Sequence, residues 1–446
     1  MVGLRRFSLR SPRIGLLAGK EFRELLSSRA YWLLLLMIGP MVGQAFIAAV
    51  NLYAEVSGSG GGPAALAQGL SPLDGILAPT FGSYDLAVTL LFPFVAIRLV
   101  SVEKESGALK LMLQAPGRIW ESLAAKGTVI LAGWLIAWTP GLLALLLWKL
   151  YGGHLHSPEV LNLMGGHLLR VILSSGVAVA AAAICTGAAA AAIVTLGFTV
   201  GTWVLEFVAA GRGGVLQELA SYTPTAVLRR FEQGQLRLST VIVLLAVGLG
   251  GFALAAVWLP TGRRLRFKIF RSLAVVLAVF LVSMSGSMIR ATWDLSENRR
   301  NSFSALDETA LRKIKDPLRI TVNLAPEDPR LTDLERSIIG KLKVILPRVD
   351  VVYAAGSVTG LFEGQEDHYG EVWYELSGRS VMSRSTTEPI VLETLYELAG
   401  VQPPGASDEL AYEGYPLAAR PQYAPLIFYV LWPAIVCAGW WIKHNL

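Results

Sequence analysis

Residues 103–127 read EKESGALKLMLQAPGRIWESLAAKG and separate two long apolar stretches of the chain. A loop that only joined two membrane helices would be short and polar, whereas this segment has apolar residues at helical spacing. It therefore predicts an amphipathic helix over 103–120 that lies across the inner membrane surface. Its apolar positions are Leu109, Met112, Leu113 and Pro116, and its polar face carries Glu103, Lys104, Glu105 and Lys110.

The chain around this segment has the composition of a membrane protein. Of its 446 residues 53% are hydrophobic and 16% are charged, whereas soluble domains carry about 25% charged residues. Because roughly 20 apolar residues cross a bilayer core, the pattern predicts an α-helical polytopic membrane protein with about eight transmembrane helices and a turn near Thr186 and Gly187. We place the helices at 31–53, 82–101, 127–149, 168–188, 190–210, 239–260, 270–290 and 424–442.

The distribution of lysine and arginine predicts the orientation of these helices. Seven basic residues lie in 1–30, five in 98–126 and five in 261–271, against none in 54–80, none in 150–169 and four in 211–237. By the positive-inside rule both termini are cytoplasmic. The segment 291–422, with 14 basic and 21 acidic residues, then lies outside. The net charge of +6 does not indicate nucleic-acid binding.

This orientation divides the chain into five parts. Residues 13–30 predict an amphipathic helix at the inner surface, which serves either as a basic anchor or as a contact surface. Strands at 318–324, 350–355, 371–378 and 379–383, with helices at 331–349 and 388–400, predict an extracytoplasmic α/β domain. The parts are an interfacial helix (1–30), a six-span domain (31–260), a basic loop with the seventh span (261–290), the α/β domain (291–423) and the eighth span with the tail (424–446).

Two features of the apolar stretches indicate how the membrane part packs. The sequence GVAVAAAAICTGAAAAA (176–192) is rich in small residues, which let helix backbones approach closely in lipid. We therefore expect the fourth and fifth spans at the packed centre. Among ionisable side chains only Glu206 falls near the middle of a span, and such scarcity disfavours an ion-coupled carrier.

Residues for catalysis or for binding a cofactor do not stand out. The phosphate-binding pattern GxxxxGK[ST] does not occur, so the chain is not expected to bind ATP itself. Cys185 and Cys437 lie in apolar runs. His154, His156 and His167 share one predicted outer loop. Because no carboxylate or cysteine lies near them in the sequence, we interpret them as side chains at the membrane interface and not as a metal site. Ser302 and Ser304 have no nearby histidine, and we predict no enzyme.

The segment 103–127 resembles the cytoplasmic coupling segment of type-two ABC exporter permeases. That family's pattern is Glu, Gly, a small residue and Leu, then Leu-Leu, Pro and Arg, with a later Lys. The stretches KEFRELLSSR (20–29) and 219–239 resemble the interfacial helix and the outer-surface stretch of the same family. Lys110 departs from the acidic residue often found at its position. The matching positions are Glu103, Gly107, Ala108, Leu109, Met112, Leu113, Pro116, Arg118 and Lys126.

The outer segment resembles a different protein of such systems. Residues 293–326 and YGEVWYELSGRS (369–380) are similar to the auxiliary subunit of gliding-motility ABC permeases, a group that also includes copper-processing relatives. The larger flavodoxin-like portion of that subunit is missing here. The chain thus resembles a permease fused to a shortened auxiliary subunit. The matching positions are Asp294, Leu295, Ser296, Arg300, Ser304, Pro317, Ile320, Thr321 and Val322.

The resemblance implies the membrane-spanning permease subunit of an ATP-driven ABC exporter in a bacterial cytoplasmic membrane, with ATP hydrolysis in a separate subunit. A separate ABC ATP-binding subunit would carry ATP and Mg²⁺ and would grip Glu103, Lys104, Glu105, Gly107, Leu109, Met112, Leu113, Pro116 and Arg118. A second permease, identical or paralogous, membrane lipid and an envelope partner of the outer domain are the other expected partners. Two alternatives stay open: segment 103–120 is held only by lipid, or the chain is a non-transporting scaffold whose ATPase acts on the outer domain.

Overall fold

Eight long apolar helices form the larger part of the described chain. The computed structural model describes residues 12–59, 70–109, 111, 119–209, 214–260, 262–325, 328–354, 368–405 and 412–445. Within them, eight helices are long and apolar enough to cross a membrane, so the chain is a helical polytopic membrane protein. Numbered as spans 1–8, they are Arg29–Gly58, Leu73–Glu105, Ile119–Leu150, Ser157–Ile184, Ala188–Ala209, Leu238–Trp258, Leu265–Ser287 and Ala424–Asn445.

The order and number of the predicted spans are confirmed, but several begin earlier than predicted. Span 4 ends at Ile184 and span 5 begins at Ala188, so the predicted turn at Thr186 and Gly187 is present. Span 4 starts at Ser157 and not at the predicted residue 168. Its first turns were not predicted because they mix polar and apolar side chains, which lowers the local hydropathy. Before span 1, a separate helix, Pro12–Leu26, here called the N-terminal helix, ends two residues before Arg29.

Spans 4 and 6 pack with their backbones in direct contact. A Cβ added at Gly176 of span 4 would lie 2.1 Å from the carbonyl oxygen of Gly248 in span 6. In the same contact, a Cβ at Gly251 would lie 2.3 Å from the carbonyl oxygen of Gly176. The two backbones therefore touch, as small residues allow in membrane helices.

Span 5 differs from the prediction that it would share the packed centre with span 4. Span 4 is mostly buried, but few side chains of span 5 are buried. Gly197 and Gly201 of span 5 have no atom within 4 Å of the position of a Cβ among the described residues. The small residues at 188–192 resemble those of span 4 in type, but they do not pack against other helices as closely as those of span 4 do.

The described residues between 292 and 405 form an α/β domain, as predicted. Among the described residues its sheet has four strands in the order β4-β3-β5-β6, with β3 parallel to β4 and antiparallel to β5. One helix (Pro329–Leu334, continuing to Ile345) precedes β4, and another (Glu388–Ala399) ends at Gly400, whose φ of 65° is left-handed. The strands are β3 (Leu318–Val322), β4 (Val349–Tyr353), β5 (Val372–Leu376) and β6 (Arg379–Ser383).

The α/β domain is attached at the end of the membrane helices where span 2 begins. Strand β1 (Gln235–Arg237), just before span 6, pairs antiparallel with β2 (Thr292–Asp294), just after span 7. Asp74 at the start of span 2 forms ion pairs with Arg300 and with Arg336. We call this the Asp74 end, and the opposite end, where span 2 finishes, the Glu103 end.

Candidate functional site

Three consecutive charged residues finish span 2, and each contacts a different part of the molecule. Glu103, Lys104 and Glu105 form the last turn of that helix, directly before the segment that the sequence identified. The sequence predicted that these residues begin a separate helix over 103–120. This prediction is wrong, because they end span 2 instead. Helical structure continues from span 2 as far as Glu105 because the charged turn is held by neighbouring helices.

Glu103 belongs to a buried ion-pair network with Lys126 at the start of span 3. Its carboxylate lies 2.8 Å from the Lys126 Nζ, and both side chains are almost fully buried, with exposed fractions of 2% and 1%. Lys126 Nζ also donates to Glu21 Oε2 of the N-terminal helix at 2.8 Å and to the Leu99 carbonyl oxygen at 2.7 Å. Lys20 donates to the other Glu103 oxygen at 2.5 Å. The network thus joins the N-terminal helix, span 2 and span 3.

The electrostatics of this network depend on two carboxylates that share one buried ammonium group. Burial raises the pKa of Glu21 to about 7, and the Glu103 charge acts in the same direction while Lys126 opposes both. Buried charges are costly unless they are paired and hydrogen-bonded. Lys126 is the shared partner of both carboxylates, so the stability of this network depends on it.

Lys104 and Glu105 add contacts with spans 4 and 5. We call Glu103, Lys104 and Glu105, together with the residues that they contact, the junction. Lys104 Nζ donates to the carbonyl oxygens of Ala182 and Ala183 at 3.3 and 2.9 Å, and also to that of Cys185. A cation at this position satisfies carbonyls that the end of span 4 leaves free and complements the helix dipole. Glu105 Oε1 accepts a hydrogen bond from the Ala188 N–H, the first residue of span 5, at 3.2 Å.

Gly107 redirects the chain after the junction. Its φ of 76° lies in the left-handed region that favours glycine. Leu109 is buried, whereas Leu111 is 71% exposed and Trp120 is 55% exposed. Leu111 and Trp120 therefore have large apolar side chains that the described residues leave uncovered near the end of span 2. Of the other predicted coupling residues, Met112, Leu113, Pro116 and Arg118 lie outside the described residues, as does Lys110.

A second buried charged cluster lies inside the membrane helices and corrects the prediction that their middles lack charge. Arg170, at the midpoint of span 4, lies 3.4 Å from Asp85 of span 2, and its guanidinium also donates to Thr89. The predicted spans began at 82 and 168, which put both residues at span edges. Glu206, predicted near a middle, lies in the last turn of span 5 and accepts from Thr223. Charged side chains do lie inside the membrane helices, so their distribution does not disfavour an ion-coupled carrier.

The histidines of the predicted outer loop separate in the structure. His167 is buried in span 4, with its ring 5.6 Å from Phe81 and 5.4 Å from Tyr84 between centroids. His154 and His156 lie instead at the Asp74 end, beside Glu297, which follows span 7. The three histidines therefore do not share one site.

Sequence reasoning missed Glu21 although a signal was present. The apolar face of the N-terminal helix runs through Ile14, Leu17, Ala18 and Leu25, and Glu21 stands on that same face. A carboxylate at an apolar-face position predicts a buried cationic partner. That this partner is Lys126 follows only from the packing of the N-terminal helix against span 3.

Comparisons of the chain with protein-family models, with curated proteins and with solved structures found no match. The resemblance to ABC permeases and to their auxiliary subunit therefore depends on the residues quoted above.

Proposed function

We propose that the chain is the membrane-spanning permease subunit of an ATP-driven ABC transporter, working as an exporter in a bacterial cytoplasmic membrane. A separate ATP-binding subunit would dock on segment 103–120 and supply the hydrolysis. Both termini and the Glu103 end would face the cytoplasm, and the α/β domain would lie outside.

The observation that carries this proposal is the junction at the end of span 2. A force applied to segment 106–120 acts first on Glu103, Lys104 and Glu105. Through the Lys126 network, the capped end of span 4 and the hydrogen bond to Ala188, these residues contact four other elements of the membrane part. A connection that runs through buried ion pairs and through the ends of packed helices suits the transmission of a displacement better than a solvated loop does.

The exposed apolar side chains beside the junction support docking of a protein. Leu111 and Trp120 offer large apolar surfaces, which are enriched in the buried centres of protein interfaces. The uncovered side of span 5 in turn supports pairing with a second permease, since its small residues leave room for a neighbouring helix. Lipid is the competing occupant of both surfaces.

Gly107 offers a direct test of coupling. Gly107→Glu is expected to abolish stimulation of the ATP-binding subunit, because it places a charge at the docking surface and opposes the left-handed backbone. Space is not the obstacle, since no atom lies within 4 Å of the Cβ position among the described residues. The folding cost should be about 1–2 kcal/mol. ATPase activity and copurification of the reconstituted complex measure the effect.

Gly262 provides the matched control. It also has a left-handed φ, of 85°, and open space around its Cβ position, but lies between spans 6 and 7. Gly262→Glu should therefore cost similar stability and keep the coupling. Normal copurification and ATPase stimulation in Gly107→Glu would contradict the proposal.

The alternative function is a non-transporting scaffold whose ATPase acts on the outer domain. The attachment of the α/β domain supports this alternative. The domain is linked to the membrane part by the β1–β2 pairing, by the Asp74 ion pairs and by the hydrogen bond from Gln217 to Glu335. Movement at the Glu103 end could thus reach the domain through span 2. ATP-dependent movement of a substrate into reconstituted vesicles would separate the exporter from the scaffold.

A further inference from the structure

Two histidines and a glutamate meet at the Asp74 end, far from the junction of span 2. Donor atoms of His154, His156 and Glu297 all lie within 4.8 Å of one another. His154 and His156 belong to the turn between spans 3 and 4, and Glu297 follows β2. The carboxylate that the sequence lacked near these histidines is thus supplied by a residue more than a hundred positions later.

The separation of the donor atoms suits a metal ion. His154 Nε2 lies 3.0 Å from both carboxylate oxygens of Glu297. Ligand atoms on a tetrahedral Zn²⁺ lie about 3.3 Å apart, given metal–ligand bonds of about 2.0–2.1 Å. Binding therefore needs only small side-chain rotations, together with transfer of any proton on Nε2 to Nδ1 or to solvent. The groups are half-buried, so an ion can reach them from water.

The surrounding residues hold two of the three ligands in place. The His154 ring stacks on Tyr415 with centroids 3.7 Å apart, and the Tyr415 hydroxyl donates to Glu297 Oε1 at 2.7 Å. The His154 carbonyl accepts from the Trp148 indole N–H at 2.9 Å. Glu159 accepts from the Glu297 backbone N–H at 2.8 Å, which fixes the main chain of that ligand. Such outer contacts orient metal ligands.

We propose that His154, His156 and Glu297 bind one divalent transition-metal ion of the Zn²⁺ type. Two imidazoles and one carboxylate match the ligand preference of Zn²⁺ and leave a fourth position for water, whereas Mg²⁺ and Ca²⁺ take oxygen ligands. The ion would join the turn before span 4 to the segment that leads into the α/β domain. It would thereby tighten the attachment of that domain, whichever function the membrane part performs.

Zinc titration of the purified full-length chain, without a polyhistidine tag and after chelation, tests the site. Calorimetry should give one equivalent of Zn²⁺ per chain, and Zn²⁺ should raise the unfolding temperature. Co²⁺ should show the intense visible bands of a four- or five-coordinate site. His156→Ala and Glu297→Gln should each weaken binding by at least about 100-fold, more than the loss of an outer-shell partner.

His368→Ala is the matched control, since it also removes one histidine beside a glutamate, Glu371, but lies in the α/β domain. It should leave the affinity unchanged. The absence of Zn²⁺ binding to the folded wild-type chain would overturn the proposal, as would binding that both site variants retain. If a site variant fails to fold, X-ray absorption spectroscopy of the Zn²⁺-loaded wild-type chain decides: a spectrum without imidazole scattering overturns the proposal, because two of the three proposed ligands are histidines.

Discussion

Replacing Lys126 with methionine is expected to destabilise the folded chain by about 3–5 kcal/mol, the cost of breaking a buried ion pair on one side. Methionine fills a similar volume, so the loss is electrostatic: Glu21 and Glu103 would remain buried, close together and without Lys126. Lys20 contacts Glu103 from the more exposed side and replaces little of that charge. Thermal unfolding of the detergent-purified protein, followed by tryptophan fluorescence, measures the loss.

Removing the carboxylates together with the lysine is the control. A triple variant, Lys126→Met with Glu21→Gln and Glu103→Gln, should recover most of the stability, because replacing a whole buried ionic group is often neutral. The single variant should also be more stable at mildly acidic pH than at neutral pH, since protonation removes unpaired negative charge. A Lys126→Met protein with wild-type stability would show that the network is not important for folding.

Replacing Gly176 with alanine is expected to cost about 3 kcal/mol or more, as overpacking of a tight contact does. The added methyl carbon would meet the backbone of Gly248, not a flexible side chain, so spans 4 and 6 would have to separate along their contact. Size-exclusion chromatography of the solubilised protein and its unfolding temperature report the change.

Gly165 in the same span is the matched control. No atom lies within 4 Å of its Cβ position among the described residues, so Gly165→Ala should be neutral or slightly stabilising through its better helix propensity. If the two variants unfold at the same temperature, spans 4 and 6 do not pack as described.

Much of the fold was predictable because its signals are local. Apolar runs of membrane length predicted all eight spans, and alternation predicted β3, β5 and β6 within two residues at each end. The boundaries of spans 2 and 4 were not predictable in this way. Their first turns mix polar and apolar side chains, which lowers the local hydropathy, and the pairing of Asp85 with Arg170 across the two helices has no signal in either segment alone.

The candidate site was predictable in position but not in structure. The charged segment after span 2 was identified, yet its charges were expected on a free polar face. Glu103 is instead buried because the N-terminal helix packs against it and carries Glu21 and Lys20. Glu297 joins His154 only through the return of the chain after span 7. Contacts between residues so distant in sequence have no signal in one sequence read alone.

Photo-cross-linking from Leu111 is the most direct test of the proposal that an ATP-binding subunit binds at the Glu103 end of the membrane helices. A photoreactive phenylalanine analogue at this exposed position, in cells that contain the native partners, should capture a protein with a GxxxxGK[ST] phosphate-binding loop. The same analogue at Leu161, which is 67% exposed at the opposite end, should not capture it. Mass spectrometry that finds only lipid adducts at Leu111, or the same partner from both positions, would contradict the account.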